Sequence, residues 1–267
     1  MQEDNEDIKI WARDKAVLIH DKTADWFAGK YINKEDYFAS SFSYGRKQIN
    51  RHLFNEISKL PKNAKILDVG CGTGEHLKKM LDMGFSAKGI EPSEKMREHA
   101  ESNLPKDTVI RGSVLNLPFN DNYFDFVYAI EVFRYLQKED NIKGLQEIFR
   151  VLKPGAVFFG TFLNFYALDG FFIVVCMRKL IRFFFKKNLD FHSEFETPKS
   201  LEKKFNYSGF SKVSFHGAMF AFLVIFYKIN KNFGKFCAKV LDSSDFSVSD
   251  TPILRQFANY LIGIAKK

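Results

Sequence analysis

The stretch "KILDVGCGTGEHL", Lys65 to Leu77, restricts the possible folds of this chain more than any other part of it. A short apolar run ends on Asp68, and Gly70, Gly72 and Gly74 follow at alternate positions. Glycine has no Cβ, so such a run allows a tight turn and lets another molecule approach the main chain closely. A helix starting near Gly74 offers free N–H groups and the positive end of its dipole to that turn, a setting for an anionic group or a carboxylate.

The segments that follow repeat the strand-then-helix pattern. "SAKGI", "TVIRG", "FDFVYAI" and "AVFFGTFL" read as strands, and "EHLKKMLDM", "SEKMREHAESNL" and "NIKGLQEIFRVL" as the helices between most of them. This alternation argues for a parallel sheet with helices on both faces. A second acid, Glu91, closes the next strand in "GIEPS", where a carboxylate can accept both hydroxyls of a ribose. Dinucleotide enzymes place a third glycine three residues after the second. Here that position is Glu75, whose charge opposes a pyrophosphate. The combination suits a nucleoside with an amino-acid tail.

Four segments, "ILDVGCGTG", "GIEPSEKM", "LPFNDNYFDFVYAIEVFRYL" and "FRVLKPGAVFF", together resemble the class I S-adenosylmethionine-dependent methyltransferases, specifically the broad small-molecule branch called type 11. The resemblance covers about residues 60 to 165. It implies an α/β, Rossmann-like, doubly wound sheet of seven strands with the last antiparallel, and S-adenosyl-L-methionine as cofactor. It also assigns roles. Gly70, Gly72 and Gly74, with Cys71 between them, would line the methionine part, and Asp68 would help fix its amino group. Glu91, followed by Pro92, would hold the ribose, and Met96 would pack near the adenine. Ser113 stands where family members often carry an aspartate for the adenine amine, and the backbone N–H of Val114 remains available. Ile130 and Glu131 would border the sulfonium, and Tyr135 would contact the acceptor. His192, in "DFHSEFETPKSL", is the candidate base, since family members often carry a histidine there. No metal is implied.

Composition narrows the rest. The chain has 267 residues, 31 of them Phe, and a formal net charge of +8. From Asp169 to Lys239 there are 13 Lys or Arg against 5 Asp or Glu, so the whole excess sits after the motif region. A local patch points to an anionic surface or substrate beside it, and nucleic acid is the less favoured partner. Cys71, Cys176 and Cys237 lie far apart, without metal-ligand spacing, which fits a reducing cytoplasm. The start "MQEDNEDIK" is acidic, unlike a signal peptide, and no apolar stretch reaches about 18 residues, the usual threshold for a membrane span.

Residues 1–60 read as an N-terminal helical lid in which Tyr31, Tyr37 and Tyr44 are candidates to cover the cofactor, and 61–267 as the methyltransferase domain. Within the latter, an insertion at about 164–200 and one late amphipathic helix at about 219–241 are expected to form a cap. On the late helix Phe222, Phe226, Ile229, Phe233, Phe236 and Val240 make one stripe, and Lys228, Lys231, Lys235 and Lys239 another. A helix within the insertion likewise carries Ile173, Met177, Leu180 and Phe184 on one face and Arg178, Arg182 and Lys186 on another, so the two read either as ordinary surface helices or as a surface resting on an anionic membrane. The functional expectation is methyl transfer, with oxygen as the first acceptor atom, to a small or lipid- or glycan-linked molecule, by a cytoplasmic protein that rests on the inner membrane surface if the interfacial alternative holds. An RNA or protein methyltransferase and a non-catalytic cofactor-binding module are the alternatives.

Overall fold

The computed structural model describes residues 3–32, 36–167, 193–242 and 251–267. Two helices, α1 (Glu3–Ile32) and α2 (Ser41–Ile57), precede the first strand. β1 (Lys65–Val69), α3 (Glu75–Asp82), β2 (Ser86–Glu91), α4 (Glu94–Asn103), β3 (Val109–Arg111), β4 (Phe124–Ala129), α5 (Lys138–Val151) and β5 (Leu152–Asn164) follow the expected alternation. β6 (Phe195–Glu196), α6 (Pro198–Tyr207), β7 (Ser211–Phe220), α7 (Ala221–Ile229), α8 (Lys231–Asp242) and β8 (Ala258–Lys266) complete the described chain.

The sheet order is β3-β2-β1-β4-β5-β8-β7, with the two-residue β6 paired to β5 off this path. β1 pairs in parallel with β2 and β4, and β8 runs antiparallel between β5 and β7. The main path thus has the expected seven strands with the last in sequence antiparallel. Alternation along each strand divides the core between the two faces of the sheet. In β1, Ile66 joins one apolar cluster with Leu53, Leu77 and Met80, while Leu67 and Val69 join the other with Leu145, Ile148 and Phe205. Because β2 and β4 lie on opposite sides of β1, the strand order reverses there, and a crevice opens at the carboxyl ends of these strands.

The late segment departs from the expected single helix. β7 runs on to Phe220, and the remainder forms a hairpin of two short helices broken at Asn230. The Asn230 side-chain oxygen accepts the N–H groups of Asn232 and Phe233 at 2.9 and 3.0 Å, starting α8 afresh. Gly234 lets the helices close: a Cβ there would stand 2.6 Å from Tyr227 Cγ. The hairpin packs on α2 through Leu223, Ala238 and Tyr44, and Lys47 and Arg51 of α2 reach Asp242 at 2.6 and 3.0 Å. Tyr44 is therefore a core residue beneath the hairpin. Tyr37 is exposed, and Tyr31 lies outside the residues whose side chains are described. The charged helix expected within the insertion, most of the insertion itself and Cys176 lie outside the described residues.

Candidate functional site: a cavity at the carboxyl ends of the strands

Asp68, 3% exposed, is the next-to-last residue of β1, and past Val69 the chain turns through Gly70, Gly72 and Gly74, all at positive φ. The N–H groups of Gly70 and Cys71 donate to the carbonyl of Ile90 at 2.8 and 3.0 Å, tying the loop to the end of β2. The glycines differ in what they serve. A Cβ on Gly70 would meet Val132 Cγ2 at 2.5 Å, and one on Gly74 would meet Leu104 Cδ1 at 2.7 Å. Nothing lies within 4 Å of a Cβ built on Gly72. Packing therefore explains the first and third, whereas Gly72 opens onto free space.

That space is a cavity of about 920 Å³. Its wall includes Asp68, Gly70, Cys71, Gly72, Glu91, Pro92, Met96, Ser113, Val114, Ile130, Glu131 and Tyr135, so twelve positions singled out from the sequence meet in one place. Gly74 stands behind the wall as the cap position of α3. His192 lies outside the described residues.

Glu91 is the best-anchored acid. Its two oxygens accept the N–H groups of Gly72 and Ser93, each at 2.9 Å. Burial raises its carboxyl above the ordinary value, and these two bonds work against the rise. Each oxygen keeps a further lone pair for a ligand hydroxyl. Asp68 is pushed up to about 8 by burial, a rise opposed by the Tyr128 hydroxyl and reinforced by the charge of Glu91. Burial and the neighbouring acids also lift Cys71, keeping it a thiol. At Glu75, burial opposes ionisation but Lys79 and Arg46, at 2.9 and 3.0 Å, outweigh it and hold the carboxyl below its usual value. A charged Glu75 at the start of α3 is consistent with a cofactor that carries no pyrophosphate.

At the end of β4, Glu131 sits at φ +63 and its N–H donates to Thr161 Oγ1 at 2.9 Å. Its Oε2 accepts from Arg134 at 2.7 Å and from the Tyr260 hydroxyl at 2.9 Å. Glu131, Arg134 and Tyr260 form a compact polar cluster on the wall. The Arg134 guanidinium also lies 5.4 Å from the centre of the Tyr135 ring, which meets the His20 ring edge-on at 5.1 Å.

Several wall residues lie outside the four motif segments. His20 and Phe27 come from α1, Phe42, Arg46 and Asn50 from α2, and Met219 and Tyr260 from the late strands. α1 is held by Asp21, which accepts from Ser93 Oγ at 2.5 Å, and by Asp25, 2.8 Å from His99 Nε2. His76, on α3, also borders the cavity. Its Nε2 lies 2.8 Å from Asn50 Oδ1, and burial lowers its pKa to about 4.

The cavity fits an adenosyl amino acid. It joins a glycine position open to a close approach, a backbone-anchored carboxylate with lone pairs to spare, a buried acid beside the glycine loop and an apolar Met96. Comparisons with known proteins agree. A family described as "Methyltransferase domain" matches residues 67–160. An uncharacterized methyltransferase of Oceanobacillus iheyensis is 32% identical over 117 residues, 43% of this chain and 55% of that protein. The sterol 24-C-methyltransferase of Schizosaccharomyces pombe is 36% identical over 102 residues, 36% of this chain and 26% of that one. This chain thus spans about half the length of the first and about a quarter of the second. A crystal structure from Thermotoga maritima, titled as a possible histamine N-methyltransferase, superposes with a TM-score of 0.57 at 15% identity, over 94% of this chain and 99% of that one, and so shares the fold. Residues 67–160 thus carry a methyltransferase domain, and the motif order and sheet topology are similar to those of the class I S-adenosylmethionine-dependent methyltransferases.

Proposed function

We propose that this protein transfers a methyl group to a small or lipid-linked acceptor, with oxygen as the first acceptor atom and His192 as a candidate base. The observation that carries this reading is the continuity of one cavity. The Glu91 and Gly72 end suits an adenosyl group, and the wall continues past Ile130 to Glu131, Arg134, Tyr260 and the apolar residues Phe42, Ile49 and Met219. About 920 Å³ is near the upper end of ordinary ligand pockets, roughly 300–1,000 Å³, and leaves room for a second molecule.

The cofactor, when bound, supplies an activated methyl group on a sulfonium, so no covalent bond to the protein is needed. The residues have three tasks. Asp68, Glu91 and the glycine loop bind and orient. α1 and α2 cover the site and limit water, which helps hold the two reactants in one orientation. Glu131 offers a carboxylate that can accept a hydrogen bond from an acceptor hydroxyl and take its proton, and Arg134 and the Tyr260 hydroxyl, which both donate to that carboxylate, hold it in place. The similarity to a sterol 24-C-methyltransferase favours a second reading, methylation at carbon of an apolar lipid. An anionic membrane surface as partner, reached from the inner side, belongs to this proposal.

Calorimetry with S-adenosylmethionine, S-adenosylhomocysteine and a dinucleotide tests the cofactor half, and turnover with hydroxylated and unsaturated lipids in detergent tests the acceptor half. Binding of the dinucleotide with no heat from either sulfur compound would refute the reading.

A further inference from the structure

The hairpin of α7 and α8 keeps a large apolar strip outside the core. Ile225 and Ile229 follow one face of α7, and Phe233 and Phe236 continue on α8, with 46, 74, 48 and 64% of their surfaces exposed. The Phe226 and Phe233 rings meet at 5.2 Å across the break, so the two helices present one continuous surface. Exposed Lys228 and Lys231 flank it, and residues 221–241 contain no acid. Asp242, which follows, is engaged by Lys47 and Arg51, and Lys235 is held by Asp36 at 2.5 Å.

We propose that this hairpin is a docking element for an anionic lipid bilayer, with the Ile and Phe side chains entering the interface and the lysines at the level of the phosphates. Charge decides between occupants. A second copy of the chain would also cover the strip, but in a two-fold dimer the same patch meets itself and the lysines oppose lysines. An anionic bilayer satisfies both features at once. The inner side of the hairpin packs on α2, whose Phe42, Gly45 and Ile49 line the cavity, and Met219, two residues before α7, lines it as well. A docked hairpin therefore places the cavity beside the membrane. The docking stands apart from the proposed chemistry. Only the inference that the acceptor arrives from the bilayer rests on it.

The test is cosedimentation of the full chain with phosphatidylcholine vesicles, with and without phosphatidylglycerol, at low and high salt. Native protein is expected to pellet with the anionic vesicles at low salt and to be released as salt screens the lysines. Phe233→Ser with Phe236→Ser, and separately Lys228→Glu with Lys231→Glu, are expected to lower binding. Each lysine removed should cost on the order of fivefold in partition. Both variants should bind S-adenosylhomocysteine as the native protein does, which reports an intact fold. Native protein left in the supernatant with anionic vesicles, or both variants pelleting like the native chain, overturns the proposal. So does a native dimer in sedimentation velocity that the Phe variant dissolves. Vesicle binding without any cofactor binding would leave the docking in place and remove the methyl-transfer reading instead.

Discussion

The Tyr260 hydroxyl donates to Glu131 Oε2 at 2.9 Å, linking the antiparallel strand β8 to the end of β4 across the cavity wall. Arg134 completes the arrangement, with its Nη1 2.7 Å from Glu131 Oε2 and 2.9 Å from the Tyr260 oxygen. The Arg134 side chain is only 15% exposed, so its charge depends on these partners. Tyr260→Phe leaves the ion pair and removes two hydrogen bonds, an expected loss of about 1–3 kcal/mol in urea unfolding. Glu131→Gln leaves a largely buried guanidinium without its counter-charge, an expected loss of about 3–5 kcal/mol. Equal losses in the two variants would mean that the cluster is not held by charge.

The glycine loop separates packing from binding. Gly74→Ala drives a Cβ to 2.7 Å from Leu104 and 3.1 Å from Ala100 at φ +81, so it should destabilise by more than the roughly 1–2 kcal/mol of left-handed backbone strain alone. Gly72→Ala meets no neighbour and should lose only about that strain. Its added methyl group faces the cavity, however, and should weaken S-adenosylhomocysteine binding at least tenfold by calorimetry. Unchanged affinity would show that the open space beside Gly72 holds no ligand.

Two buried groups give opposite pH trends. Asp68, raised from 3.8 to about 8, is protonated in the folded protein while its unfolded form ionises, so it lowers stability as pH rises from about 4 to about 8. His76, lowered from 6.5 to about 4, stays neutral in the folded protein while its unfolded form takes a proton, so it lowers stability as pH falls from 6.5 to about 4. Each contributes a slope of at most about 1.4 kcal/mol per pH unit inside its window. Relative to the native chain, Asp68→Asn should gain stability steadily up to pH 8, and His76→Gln should gain stability as pH falls below 6.5. Difference curves of the opposite sign in urea titrations would contradict the burial argument. If Asp68 meets the cofactor's ammonium group, binding at pH 7 should also release a fraction of a proton, seen in buffers of different ionisation heat and absent in Asp68→Asn.

Asp21 holds α1 at the start of α4, accepting from Ser93 Oγ at 2.5 Å and from the Lys95 N–H at 3.3 Å. Asp21→Ala should cost on the order of 1 kcal/mol, as losing a helix cap does, and should speed hydrogen exchange in α1 while leaving β1 and β4 unaffected. Exchange in α1 at its native rate would show that the helix is held by other contacts.

Much of the site was readable because its residues stand close to strand ends. Asp68, Gly72, Glu91, Ser113 and Glu131 each lie at or just past the end of a strand, and the parallel sheet brings those ends together, so a one-dimensional pattern was enough to place them at one cavity. The alternation of strands and helices foretold the sheet for the same reason: hydrogen bonding along the main chain and the burial of one apolar face per element are local matters.

Other features depended on contacts between segments far apart in the chain, which no local pattern records. Tyr260 reaches Glu131 over 129 positions, and Asp21 reaches Ser93 over 72. Helical spacing showed that Ile229, Phe233 and Phe236 share a stripe, but spacing says only which residues lie on one face and not whether anything covers it. Asn230 capping a new helix and Gly234 against Tyr227 turned one expected helix into a hairpin. α2 then covered its inner side and left the aromatic strip outside. The sequence by itself determined the sheet and the cluster of strand-end residues at the cavity, because those follow from local geometry. Only the tertiary structure decided which faces are covered and which polar groups meet, because that depends on packing between distant parts of the chain.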